Sequence, residues 1–194
     1  LKNKREAPQY INNFIGSFNA LLSKRFGADG AEPFTVAAIH TDNAGEFLSR
    51  EFKELLDQEQ IKQSTCPPHV HALNGVAERA IRSIFSIVRS NMVASGSKAG
   101  LWTYSVRHAL DTLNRCTGPA ADGDSKTFET SFELLTGEKP KVMGIMPWGC
   151  RAYAVKPRES FSKTRIDTRA WVGYNLGRSN RAVGAYDIYV QSLK

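Results

Sequence analysis

Two carboxylates, Asp42 in HTDNAGEF and Glu78 in NGVAER, stand with thirty-five residues between them. Cutting and joining phosphodiesters needs hard acidic oxygens fixed on rigid elements. Two divalent ions about 3.5 to 4 Å apart must be clamped so that one activates the attacking oxygen and the other stabilises the leaving one. An aspartate at a strand end and a glutamate on a helix suit that task. Taken singly, each also has an ordinary structural explanation: Asp-Asn is a good turn former, and a glutamate near a helix start favours the dipole. His69 and His71 could ligate a metal, but no third ligand stands near them, and a solvent-exposed loop suits them better. His40 and His108 read as structural.

The elements that must position these groups follow from periodicity. Ile11, Phe14, Ile15, Phe18, Leu21, Leu22 and Phe26 recur at helical intervals, predicting an amphipathic helix from Tyr10 to Phe26. Phe34 to Ile39 is a short apolar run that suits a buried strand, with Asp42 just past its carboxyl end. Ser49 can cap a helix carrying Phe52, Leu55 and Leu56, and Ile61 to Thr65 is long enough for the next strand. After a loop opened by Pro67 and Pro68, the residues Ala77, Ile81, Ile84, Val88 and Met92 mark one face of a long helix. A further helix is expected over Leu101 to Asn114, with Trp102, Val106, Ala109, Leu110 and Leu113 facing the core. AADGDS is a turn-rich break, and a short helix around Phe132 to Leu135 ends at Gly137. From Trp148 onward, short aromatic and β-branched runs predict a small antiparallel sheet or barrel.

The 194 residues are enough for one domain plus a smaller second one, with the boundary expected near Met146 to Trp148. No apolar run approaches the roughly 18 to 20 residues of a membrane span, and no secretory signal opens the chain. Because it starts at Leu1 rather than Met, a fragment is expected. Cys66, Cys116 and Cys150 are odd in number and too widely spaced for a zinc pattern, so buried thiols in a reducing compartment are expected. Residues 151–194 hold nine Lys or Arg against three Asp or Glu, a balance of +6, whereas residues 1–150 hold seventeen against sixteen, or +1. Such asymmetry points the tail toward a polyanion.

HTDNAGEF and LNGVAER at this separation resemble the second and third acidic positions of the D, D, thirty-five, E signature of retroviral and retrotransposon integrases, in copia-like wording. LKNKREA, LWTYSVRHALDTLNR, TSFELLTGEKP, WGCRAYAVKP and WVGYN extend the resemblance along nearly the whole chain. It implies an α/β, RNase H-like integrase core over residues 1–146, truncated at its amino-terminal strands. Part of a small antiparallel barrel like that of Src-homology-3 domains would follow over 147–194. It implies a polyprotein origin, Mg²⁺ or Mn²⁺ in a two-ion site, and end processing and strand transfer of element cDNA into target DNA. Homo-oligomers, double-stranded DNA as partner and action in the nucleus of the cell would follow.

Carried over, Asp42 and Glu78 would be the catalytic metal ligands, while Asn43 and Glu46 would shape the turn beside Asp42. Asn74 and Gly75 would end a mobile loop that approaches DNA. Arg82 and Arg89, four and eleven positions beyond Glu78 and nearly in line on the helix, could contact phosphate, as could Arg165 and Arg169 in the tail. In the tail, Trp171, Tyr174, Tyr186 and Tyr189 read as core. The family usually has glycine at Ala44, so a turn needing positive φ is expected to be strained there, and Gln-Gln where Ala72 and Leu73 stand. Its first aspartate would lie upstream of Leu1, since Asp29 is in the wrong place, and the chain as written is expected to be inactive. A decayed transposon remnant and a nucleic-acid-binding module without chemistry are the other readings.

Overall fold

The computed structural model describes residues 6–27, 34–66, 75–116, 130–160 and 168–191. They fall into two compact units, Leu1–Ala80 with Leu134–Glu138, and Ile81–Glu133 with Lys139–Lys194.

In the first unit, helix α1 (Ala7–Phe26) places Pro8 in its opening turn, where a missing N–H costs no helical bond, and Lys24 and Arg25 in its last, where the dipole favours cations. Strands β1 (Ala38–Thr41) and β2 (Lys62–Thr65) pair in parallel, Ala38 beside Lys62 and Thr41 beside Thr65. Parallel strands need a crossover, and α2 (Arg50–Gln58) supplies it. Ser49 starts α2 as anticipated, its Oγ accepting from the Phe52 N–H at 3.2 Å. Ile15, Phe52, Leu56 and Ile61 form the buried core, with Ile11, Val36, Ile39, Phe47 and Leu55 packed around it. The apolar run Phe34–Ile39 is strand only from Ala38 on. The Val36 N–H is engaged by Asn19 Oδ1 of α1 at 2.9 Å, a partner outside the ladder.

Helix α3 (Gly75–Ser95) is as long as its pattern promised, yet its apolar face is buried only in the carboxyl half. Val88 is buried and Ile84 and Met92 half-buried, whereas Ala77 and Ile81 are exposed. Helix α5 (Ser131–Thr136) stops at Gly137, whose φ of +74° strains any residue that carries a Cβ. The break at residues 120–125 lies outside the described residues.

The second unit joins the rest of α3 and α4 (Trp102–Cys116) to an antiparallel sheet in the order β3 (Arg151–Val155), β4 (Ala170–Arg178), β5 (Tyr186–Tyr189). The buried face of α4 is not the large apolar one: Ser105 and Ala109 are fully buried, while Trp102 and Leu110 are exposed. Small residues let other elements come close, and Asn91 of α3 donates to Ser105 Oγ at 3.3 Å. On the sheet side, His108 donates through Nε2 to the Met146 carbonyl at 2.9 Å and stands edge-on to Trp148. Gly177, at φ +95°, passes so near His108 that a Cβ would lie 3.2 Å from its ring. Arg107 forms an ion pair with Asp187, and Trp148, 7% exposed, donates to Ser95 Oγ at 3.2 Å. Of the sheet aromatics, Trp171, Tyr186 and Tyr189 are half-buried, but Tyr174 is exposed beside Arg151, its register partner. Cys66 is buried, but Cys116 is exposed, contrary to the expectation for the thiols.

Candidate active site

Asp42 follows the last residue of β1, where Thr41 is buried and the chain turns outward. Its Oδ1 accepts from the Ala44 N–H at 3.1 Å, an Asx turn that orients the carboxylate and leaves Oδ2 with no partner among the described residues. Ala44 has no positive φ, so the strain anticipated at this position is absent: the Asx turn is made with ordinary backbone angles, and no glycine is required. The Ala44 carbonyl then accepts from Phe47 N at 2.9 Å and Leu48 N at 3.3 Å.

The end of β2 holds this turn. Cys66 N–H donates to the Thr41 carbonyl at 3.1 Å, and Asn43 Nδ2 donates to the Cys66 carbonyl at 2.7 Å. His40 bridges the strands, with Nδ1 2.8 Å from Ser64 Oγ and Nε2 3.2 Å from Cys66 Sγ. Gln63 Nε2 donates both to Thr41 Oγ1 at 3.1 Å and to the Phe47 carbonyl at 3.0 Å. Asn43 therefore shapes the turn as anticipated, and the Glu46 carbonyl accepts from Ser49 Oγ at 2.9 Å, tying the turn to the α2 cap. The roles of Gln63 and Cys66 at this turn are not anticipated by the sequence. The one available signal was a polar side chain at an inward position of a short strand.

Glu78 sits exposed in the first turn of α3, and its carboxylate has no hydrogen-bond or ion-pair partner among the described residues. Gly75 is the first residue of that helix, with open space where a Cβ would be, and its carbonyl accepts from Arg79 Nε at 3.1 Å. Arg82 and Arg89 are exposed further along α3, Arg89 bordering an open apolar groove lined by Phe85, Val88, Met92, Val93 and Trp102. Arg169 is exposed just before β4, its carbonyl accepting from Lys156 N at 2.9 Å. Asn74, His69, His71 and Arg165 lie outside the described residues. Carboxylate oxygens free of internal partners fit a hard divalent cation. Among the described residues, however, no three His, Cys, Asp or Glu side chains come together as a metal site.

No family model matches the chain. The retrovirus-related Pol polyprotein from transposon TNT 1-94 of Nicotiana tabacum is 29% identical over 162 residues, covering 81% of the chain and 11% of the relative. That from transposon RE2 of Arabidopsis thaliana is 25% identical over 180 residues, covering 90% and 11%. The chain is a homologue of copia-like retrotransposon Pol polyproteins. It spans about a tenth of the length of these Pol relatives. Among solved structures, a simian T-cell lymphotropic virus intasome in complex with PP2A regulatory subunit B56 gamma matches with TM-score 0.50 at 15% identity, over 97% of the chain and 62% of the other. This copia-like chain thus has the mixed helix and sheet fold of a retroviral intasome chain, with a small antiparallel sheet at its carboxyl end. The HTLV-2 integrase catalytic core domain in complex with magnesium aligns with TM-score 0.43 at 24% identity, over 66% of the chain and 68% of that domain. No helix among the described residues is long and apolar enough to cross a membrane.

Proposed function

We propose that the chain is the integrase region of a copia-like Pol polyprotein and serves metal-dependent end processing and strand transfer of element cDNA into target DNA. The observation that carries this reading is the aspartate held at a strand end by the Asx turn and β2, paired in sequence with a glutamate that has no partner among the described residues on the first turn of a long helix. Both carboxylates would be ligands. When bound, Mg²⁺ or Mn²⁺ would supply Lewis-acid stabilisation of the attacking and leaving oxygens of an in-line displacement. The Ala44 N–H fixes one oxygen of Asp42 and so presents the other, and Arg82 and Arg89 offer phosphate contacts along α3. A third carboxylate, the family's first aspartate, would come from polyprotein outside this stretch, whose relatives are roughly eight times as long. Under this reading the 194 residues alone do not join DNA, and the core ends near residue 146. The complete protein would act on duplex DNA as a homo-oligomer in the nucleus.

The test is Glu78→Gln in the full natural protein. The amide keeps the shape but loses the charge that binds a metal, so Mg²⁺-dependent joining of model DNA ends should be lost while duplex binding persists. Unchanged joining would remove Glu78 from the site. If the unaltered protein binds duplex without Mg²⁺ and never joins it, the chain is a nucleic-acid-binding module or a remnant of a decayed element.

A further inference from the structure

We infer that Gln63 is a positioning residue for Asp42. The inference rests on the reading of Asp42 as a metal ligand. A side-chain amide nitrogen carries two N–H donors, and Gln63 uses both on the same turn. One goes to Thr41 Oγ1, on the residue before Asp42, and the other to the Phe47 carbonyl, five residues after it. The bonds within the turn, from Ala44 N to Asp42 Oδ1 and from Phe47 and Leu48 N to the Ala44 carbonyl, give it shape but do not tether its far end to the sheet. Asn43 and Cys66 fix only its near end. Gln63 is the hydrogen-bonding group, among the described residues, that spans from the entry of the turn to its exit. Thr41 is buried, so its hydroxyl would lose a donor that water cannot readily replace. Without that span, the Asp42 carboxylate samples more directions, and an ion that needs fixed oxygens binds more weakly.

The experiment uses the full natural protein carrying Gln63→Met, a substitution of similar length that has no donor. Hydrogen exchange of the Phe47 and Leu48 amides, measured without metal, should speed up by at least about tenfold, the order expected when the two internal bonds from Gln63 are lost. Affinity for Mn²⁺, read from its electron paramagnetic resonance signal, should fall by a similar factor. Thr41→Ser keeps the hydroxyl and should bind Mn²⁺ as the unaltered protein does. Thr41→Val should weaken binding, and Val added to the Gln63→Met variant should add little, because the bond that Val breaks is one of the two already lost with Gln63. Purely structural damage would instead make the two effects sum and would also accelerate exchange in α1. Asp42→Asn separates the two readings. If it weakens Mn²⁺ binding while Gln63→Met does not, the present inference alone fails; if Asp42→Asn leaves Mn²⁺ affinity unchanged, the ligand reading falls and takes this one with it.

Discussion

Phe52 is the side chain on which the first unit should depend most. It is 0% exposed, sits in the core with Ile15, Leu56 and Ile61, and meets Phe47 edge to face at 5.5 Å. Phe52→Ala removes the ring and leaves a cavity that the α1–α2 contact can close only in part, a change that costs roughly 3 to 5 kcal/mol in well-packed cores. Against a total stability of about 5 to 15 kcal/mol, that is a large fraction. With a urea dependence of about 2 kcal/mol per molar, the unfolding midpoint should drop by about 2 M. The assay is urea titration followed by far-ultraviolet circular dichroism, since α1 and α2 give the first unit much of its helical signal. Phe52→Leu, which leaves a smaller void, should fall in between. Because the Phe47 ring loses its partner, exchange of the Asp42 turn amides should rise together with the loss of stability. A midpoint shift below about 0.5 M at unchanged slope would show that Phe52 is not the keystone of this core.

Two other outcomes are expected. Burial alone would raise the carboxyl pKa of Asp187, but hydrogen bonds from Arg107 and Ser179 and the charges of Arg107 and Arg181 outweigh it and hold the group below its ordinary value of 3.8. A depressed folded pKa contributes stability that is present above the unfolded value and is lost as pH falls through the folded one. Thermal melts of the natural chain and of Asp187→Asn should therefore converge on acidification below the usual carboxylate range; a constant gap would refute this. For the basic tail, Arg151, Arg158 and Arg181 are exposed, and each Gln substitution that removes a phosphate contact should flatten the log affinity against log salt slope for duplex DNA by about 0.9. Unaltered slopes in the triple variant would make these arginines a solvated surface only. Point substitutions are preferable to deleting the tail, because α4 packs on β4 and deletion would also strip Arg107 and His108 of their contacts with Asp187 and Gly177.

Local chemistry was legible wherever it decided the outcome. The Ser49 cap, the Gly137 stop, the length of α3 and the place of Asp42 just past a strand all follow from neighbouring residues. Reading failed where a distant group decided. The first residues of FTVAAI are not strand, and the Val36 N–H there is taken by Asn19, seventeen positions earlier. On α4 the helical spacing places Ala109 in the core as expected, but Trp102 and Leu110 are exposed and the unanticipated Ser105 is fully buried, because close approach of α3 favours a small residue there. Ala44 was judged by the family's glycine, yet the Asx bond from Asp42 sets the turn without positive φ. For Gln63 the sequence offers only a polar residue inside a short strand, since its role depends on partners sixteen and twenty-two residues away.

The placement of Trp148 against Ser95 and His108 has an optical consequence. All three tryptophans of the chain, Trp102, Trp148 and Trp171, belong to the second compact unit, and the first has none. Intrinsic emission therefore watches the α4–sheet body, where a change at the His108 ring or the Ser95 hydroxyl would alter the indole of Trp148 directly. The first unit carries no tryptophan of its own, so a spectral response to added DNA would be read on the sheet and its helix.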